Sequence, residues 1–213
     1  MRKGFEKQLD ELNVNLIKMG AMCERHITET TDALFQGDKS YVDRSHDLEE
    51  AIDKCEREIE NICMGIFLKQ QPVASDLRLV SAALRMISDM ERIGDQCADI
   101  SDMIKYTSKH NMNEYESLRE MSTNAKEMVT DAVESYVRKD LKLAHRVLKQ
   151  DDVVDQLFVD IKNKLIGYIG DNPDQGEFWI DVIMIAKYFE RIADHATNIA
   201  EWVEYSVVGE RVK

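Results

Sequence analysis

The sequence predicts an all-α protein: two tandem, sequence-related antiparallel three-helix bundles. Three observations carry this prediction. Apolar residues recur in steps of three and four along nearly the whole chain. Only two prolines and nine glycines interrupt its 213 residues. The string Glu91-Arg92-Ile93-Gly94-Asp95 returns ninety-nine residues later as Glu190-Arg191-Ile192-Ala193-Asp194. Around it, Ile100 is matched by Ile199, Asp99 by Asn198 and Asp102 by Glu201 at the same offset. Repetition of spacing and surroundings marks a chain built twice. No window alternates β-branched residues with period two, so no sheet is predicted.

The first helix, over about 5–36, carries the stripe Leu9, Leu12, Leu16, Met19, Cys23, Ile27, Thr30 and Leu34. Gly37-Asp38 breaks it. A second helix over about 39–69 follows on Leu48, Ile52, Cys55, Ile59, Ile62 and Ile66. Gln70-Gln71-Pro72 ends it, because the residue before a proline is pushed out of the helical region. Ser75 or Asp76 is the expected cap of the third helix. Its seam is Leu79, Ala83, Met86, Met90, Ile93, Cys97, Ile100 and Ile104. Lys109–Asn113 is polar and aperiodic, and the domain boundary is placed there, giving a first bundle over 1–108 and a second over 114–213. Helix four is expected over 114–138 on Leu118, Met121, Ala125, Val129 and Val133 or Ala132. Helix five is expected over 140–168 on Val147, Val154, Ile161, Leu165 and Tyr168. Gly170-Asp171-Asn172-Pro173 is the turn into helix six, over 176–207, with Val182, Ile185, Phe189, Ile192, Ala196, Ile199 and Val203 inward. The breakers repeat as well, Asp38 with Asp140 and Pro72 with Pro173. One continuous six-helix array is the alternative packing.

Composition narrows the function. A net charge of −13 repels phosphate backbones, so nucleic acid is not an expected partner. An acidic surface suits cations or basic patches on proteins. The four cysteines show no C-x-x-C pairing and are expected as reduced thiols in the cytoplasm. No apolar run approaches the ~18 residues that cross a bilayer, so a soluble or peripheral protein is expected. Met1-Arg2-Lys3-Gly4-Phe5 has two cations but no following apolar core, unlike a signal peptide.

The chemistry lies in the acids. Residues four apart share one helical face. Helix three presents Glu91, Asp95, Asp99 and Asp102; helix six presents Glu190, Asp194, Asn198 and Glu201. Each stripe sits a third to a half turn from the apolar seam, towards the side of its bundle. Helix two offers Glu49 and Asp53, and helix five Asp151 and Asp155, at matching repeat positions. At this acid content about eight acid pairs with four-residue spacing arise by chance, so a single pair reads as a solvated face. Repeated pairs are different, because like charges so placed repel unless neutralised. A cation site in each half is therefore expected, built by helices two and three and by helices five and six. All-oxygen ligation suits Mg²⁺, Mn²⁺, Ca²⁺ or iron. Arg92 and Arg191 are expected to pair with neighbouring acids or to steer the ligating carboxylates. None of the five histidines forms the Glu-x-x-His pair of a di-iron carboxylate bundle. His195 reads as a surface residue, and Trp179 and Trp202 as packing or partner contacts. No phosphate loop, nucleophile elbow or zinc spacing appears.

These motifs, with Gln71-Pro72-Val73-Ala74-Ser75-Asp76-Leu77-Arg78 before helix three, make the chain resemble the PhoU family of phosphate-uptake regulators over nearly its whole length. The resemblance implies two similar three-helix bundles and metal held by a repeated acid-x-x-x-Asp motif. Those positions are Glu49, Asp53, Glu91, Asp95, Asp151, Asp155, Glu190 and Asp194. Asp99, Asp102, Asn198 and Glu201 would extend the metal face. The expected cofactor is a divalent or trivalent ion held by carboxylates: iron, manganese, magnesium or zinc. The resemblance also implies a non-catalytic adaptor between the ATPase of a phosphate ABC transporter and a sensor histidine kinase. Such an adaptor is peripheral to the membrane through its partners, a homodimer or higher homo-oligomer, and lowers phosphate uptake and the starvation response. Asp99 stands where the family usually has asparagine, and Asp151 replaces a glutamate option. The rival readings are a di-metal carboxylate oxidase or storage bundle, and a structural helical scaffold.

Overall fold

A computed structural model describes residues 2–70, 72 and 74–209. Among these, six long helices follow one another: α1 (Arg2–Gln36), α2 (Tyr41–Gln70), α3 (Ser75–Thr107), α4 (Glu116–Arg138), α5 (Leu141–Asp171) and α6 (Gly176–Val208). Short 3-10 turns at Met112–Glu114 and Pro173–Gln175 precede α4 and α6, and the described residues contain no strand. Gln71 of the predicted break, and Val73 of the motif before helix three, lie outside the described residues.

The repeat extends to the backbone. α1 ends on Gly37 at φ +67°, and α4 ends on Lys139 at φ +54°. Each left-handed residue precedes an aspartate whose carboxylate accepts backbone N–H groups at the entry to the next helix. Asp38 accepts from Ser40 at 2.9 Å; Asp140 accepts from Lys142 at 2.9 Å and Leu143 at 3.2 Å. The predicted cap of α3 is not realised: Ser75 is already helical, so its hydroxyl is not placed to cap, and Ala74 precedes it at φ +47°. The turn predicted at Gly170–Pro173 is also shifted. Pro173 constrains only the residue before it, so α5 continues through Gly170 and Asp171, and Asn172 makes the exit.

α1, α2 and α3 pack on one another, as do α4, α5 and α6. The two halves meet along α1 with α4 and along α3 with α6, the most extensive helix pair in the chain. Both pairs run antiparallel: Arg78 lies beside Gly209, the Arg85 guanidinium lies 5.9 Å from the Trp202 ring centre, and Asp89 bonds His195. Buried apolar residues form one cluster through both halves. α3 and α6 are central because they carry more than one buried face. Besides its predicted seam, α3 buries Val80, Ala82, Ile87, Ala98 and Ser101.

The predicted seams are buried with few exceptions. Tyr168 is 36% exposed rather than inward, and Cys63, which lay on no predicted stripe, is fully buried between Ile59 and Ile66 on α2. Met112, inside the supposedly polar connection, is buried against the core. All four cysteines are free and buried. Burial pushes the Cys23 and Cys63 thiols up to about 12, since no counter-charge offsets the loss of water around a thiolate.

Candidate metal centres

The first candidate site lies in the groove between α2 and α3. Gly94, inside the repeated motif, lets these helices approach closely: a Cβ there would stand 3.2 Å from Ile52 Cδ1. One carboxylate oxygen each from Glu49, Asp53 and Asp95 then lies within 4.8 Å of the other two. Asp53 Oδ1 is buried without a hydrogen-bond partner, and Asp53 Oδ2 is 3.7 Å from Arg57. A buried carboxylate oxygen facing two more carboxylates is costly unless a cation compensates. Three oxygens this close also suit a hard ion with metal–oxygen distances of roughly 2.0–2.6 Å. The residues fit the group.

Glu91 stands beside this triplet and not in it. Arg92 engages it at 3.4 Å and reaches Asp95 at 3.0 Å, so the arginine following the first motif acid binds both motif acids. Burial first, then Asp95, holds the Glu91 carboxyl above its usual range. The rest of the expected acidic face divides. Asp99 feels Asp95 but also Arg191 from α6, and Asp102 lies 3.5 Å from the Nε2 of His46. The other His46 nitrogen is 3.5 Å from Glu49, so this imidazole spans from the triplet to Asp102.

The corresponding acids of the second half stand on α5 and α6. Burial, then the charges of Asp155 and Asp194, pushes the Asp151 carboxyl from 3.8 up to about 6; the nearby Thr197 hydroxyl works against the shift. Asp194 is raised by burial and by Glu190, with Lys187 opposing. Lys187 grips both oxygens of Glu190. Asp151, Asp155 and Asp194 thus feel one another's charge. Among the described residues, however, only Glu49, Asp53 and Asp95 bring three carboxylate oxygens within 4.8 Å of one another, and Asp155 and Asp194 are exposed. In each half the first motif glutamate is taken by a cation of its own helix. Asn198 does not join the second site. Its amide donates to Asp89 at 3.1 Å, and His195 Nδ1 meets the same Asp89 oxygen at 3.0 Å. Both belong to the α3–α6 seam, so His195 is not the surface residue its sequence context suggested: its side chain is 18% exposed. Glu201 is half-buried one turn beyond Asn198.

Four polar neighbours escaped the sequence reading. His46 precedes Glu49 by three residues and Lys187 precedes Glu190 by three, spacings that a search for helix-face pairs finds. Asp89 and Thr197 carry no local signal, because their partners come from another helix.

Comparison with known proteins identifies the family. The PhoU domain family matches residues 16–104 and again 118–203. The phosphate-specific transport system accessory protein PhoU homolog of Clostridium acetobutylicum is 32% identical, covering 99% of this chain and 97% of that protein. The Aquifex aeolicus homolog is 33% identical over 97% of this chain and 94% of its own length. The crystal structure of PhoU from Pseudomonas aeruginosa superimposes with a TM-score of 0.91 at 29% identity, covering 97% of this chain and 100% of that one. The phosphate transport system regulatory protein PhoU from Streptococcus pneumoniae gives 0.88 at 25% identity, with 98% and 99% covered. With the domain matched in both halves and relatives aligned from end to end, the chain belongs to the PhoU family.

Proposed function

We propose that this protein is a regulatory accessory of phosphate transport whose two carboxylate sites bind metal. The carrying observation is the acidic triplet Glu49, Asp53 and Asp95, whose repeat counterparts Asp151, Asp155 and Asp194 lie near enough in the other half to feel one another's charge. A bound cation would supply positive charge on an otherwise anionic surface, able to hold an anionic group of a partner. The chain's own part is to hold each triplet on two rigid helices, with Arg92 and Lys187 restraining the adjacent glutamates. Both sites lie at the side of their bundle and not in the core, which suits docking better than catalysis.

The role proposed is non-catalytic: coupling the transporter ATPase to a sensor histidine kinase and lowering uptake when phosphate suffices, as a homodimer or higher oligomer at the membrane through its partners. The names of the accessory-protein relatives support the transport connection. Affinity capture from phosphate-replete and phosphate-starved cells tests it: the transport ATPase is expected to co-purify, and its absence in both conditions overturns the coupling. Alanine at Asp95 and Asp194 together is expected to strip the metal measured by mass spectrometry. Unchanged metal content in that double variant overturns the site assignment.

A further inference from the structure

A second site stands at the end of the bundle where α5 turns into α6. Tyr115, Tyr168 and Trp179 wall a cavity of about 280 Å³ with Glu114, Asp171 and Asn172. The rings are steeply inclined to one another. Tyr115 meets Trp179 at 6.0 Å and 67°, and Tyr168 meets it at 5.2 Å and 48°. Phe178 buttresses Trp179 at 4.8 Å and is itself stacked on His110 at 3.7 Å, so the box is rigid on its inner side. Three aromatic rings line one space, and each carries a negative quadrupole on its faces.

The charge there has the same sign. Among the described residues neither Glu114 nor Asp171 enters an ion pair; Glu114 accepts only from the Asn111 amide, at 3.3 Å. Two carboxylates and three π faces favour a cation, and the cavity has room for one side-chain head group. Tyr168 already shows this affinity on the Lys164 ammonium, which lies 5.8 Å from its ring centre. Trp179 is 9% exposed with a buried indole N–H, so that group reports on the cavity wall without reaching its occupant. Two carboxylates at one aromatic cavity suit the planar guanidinium of arginine, which carries five N–H donors and stacks on rings; a tetraalkylammonium ion carries only the charge.

We propose that Tyr115, Tyr168 and Trp179, with Glu114 and Asp171, form a docking pocket for an arginine or lysine side chain of a protein partner. The pocket is separate from both carboxylate triplets and needs no metal.

The test follows the Trp179 indole N–H signal in ¹⁵N-labelled full-length protein, assigned with Trp179→Phe. N-acetyl-arginine methylamide is expected to move it saturably. N-acetyl-citrulline methylamide, of the same shape without the charge, is expected to leave it in place. Tyr168→Ala, a change at a surface-exposed ring, weakens binding about tenfold. Glu114→Gln with Asp171→Asn weakens it several-fold and flattens its salt dependence. No saturable shift with the arginine probe, or an equal shift with citrulline, overturns the pocket. Tetramethylammonium binding as tightly as the arginine probe overturns the peptide as its occupant.

Discussion

Replacing Asp151 by asparagine is expected to stabilise the metal-free protein while removing the share of its metal stabilisation that comes from the second site. The Asp151 carboxyl titrates at about 6 instead of 3.8 because it is partly buried and faces Asp155 and Asp194. The folded state therefore holds this proton more tightly than the unfolded chain. The group's contribution is fully present below about pH 4, declines between about 4 and 6, and stays lost above 6. Taken at face value the shift corresponds to about 3 kcal/mol. The side chain is half-exposed, so solvent screening reduces the expected effect to about 1 kcal/mol. For a chain of this size that is about 2–4 °C in melting temperature.

In EDTA at pH 7.5, Asp151→Asn is thus expected to melt about 2–4 °C above the wild type, and at pH 4 the two should coincide. Adding Mn²⁺ should reverse the order. At about 100 times its dissociation constant a metal stabilises the wild type by roughly 2.7 kcal/mol, and the variant lacks a ligand. Thermal denaturation by circular dichroism in the three conditions reads all of this. A variant no more stable than wild type in EDTA at pH 7.5 refutes the repulsion, and a wild type indifferent to Mn²⁺ refutes the metal site.

Two further perturbations test how the halves are joined and ended. The Tyr136 hydroxyl, buried on α4, donates to the Leu79 carbonyl of α3 at 2.9 Å; Tyr136→Phe should cost about 1 kcal/mol by urea denaturation, leaving that carbonyl unpaired. Lys139 occupies the left-handed position that glycine fills at Gly37, so Lys139→Gly should raise stability by about 0.5 kcal/mol. A loss on that substitution would mean that the lysine side chain makes a compensating contact.

The sequence alone determined the six helices, their seams and the pairing of α2 with α3 and of α5 with α6. Each of these follows from local periodicity, two prolines and short connections, which leave little freedom in how neighbours pack. It also determined which acids face the grooves, because helical spacing puts Glu49 with Asp53 and Asp151 with Asp155 on one face. Family resemblance entered through motifs that local chemistry does not explain. Only the tertiary structure decided how the repeats meet. α3 lies antiparallel to α6, and that contact takes Asn198 and His195 away from the second site to Asp89 on the other half. It also decided that Glu91 stands beside the first triplet, engaged by Arg92, and that Lys187 grips Glu190. The box of Tyr115, Tyr168 and Trp179 could not be read from the chain, because Tyr115 stands more than fifty residues from the other two rings and meets them only through packing. Spacing fixes which side chains share a helix face; which face meets which is settled by the packing of all six helices at once.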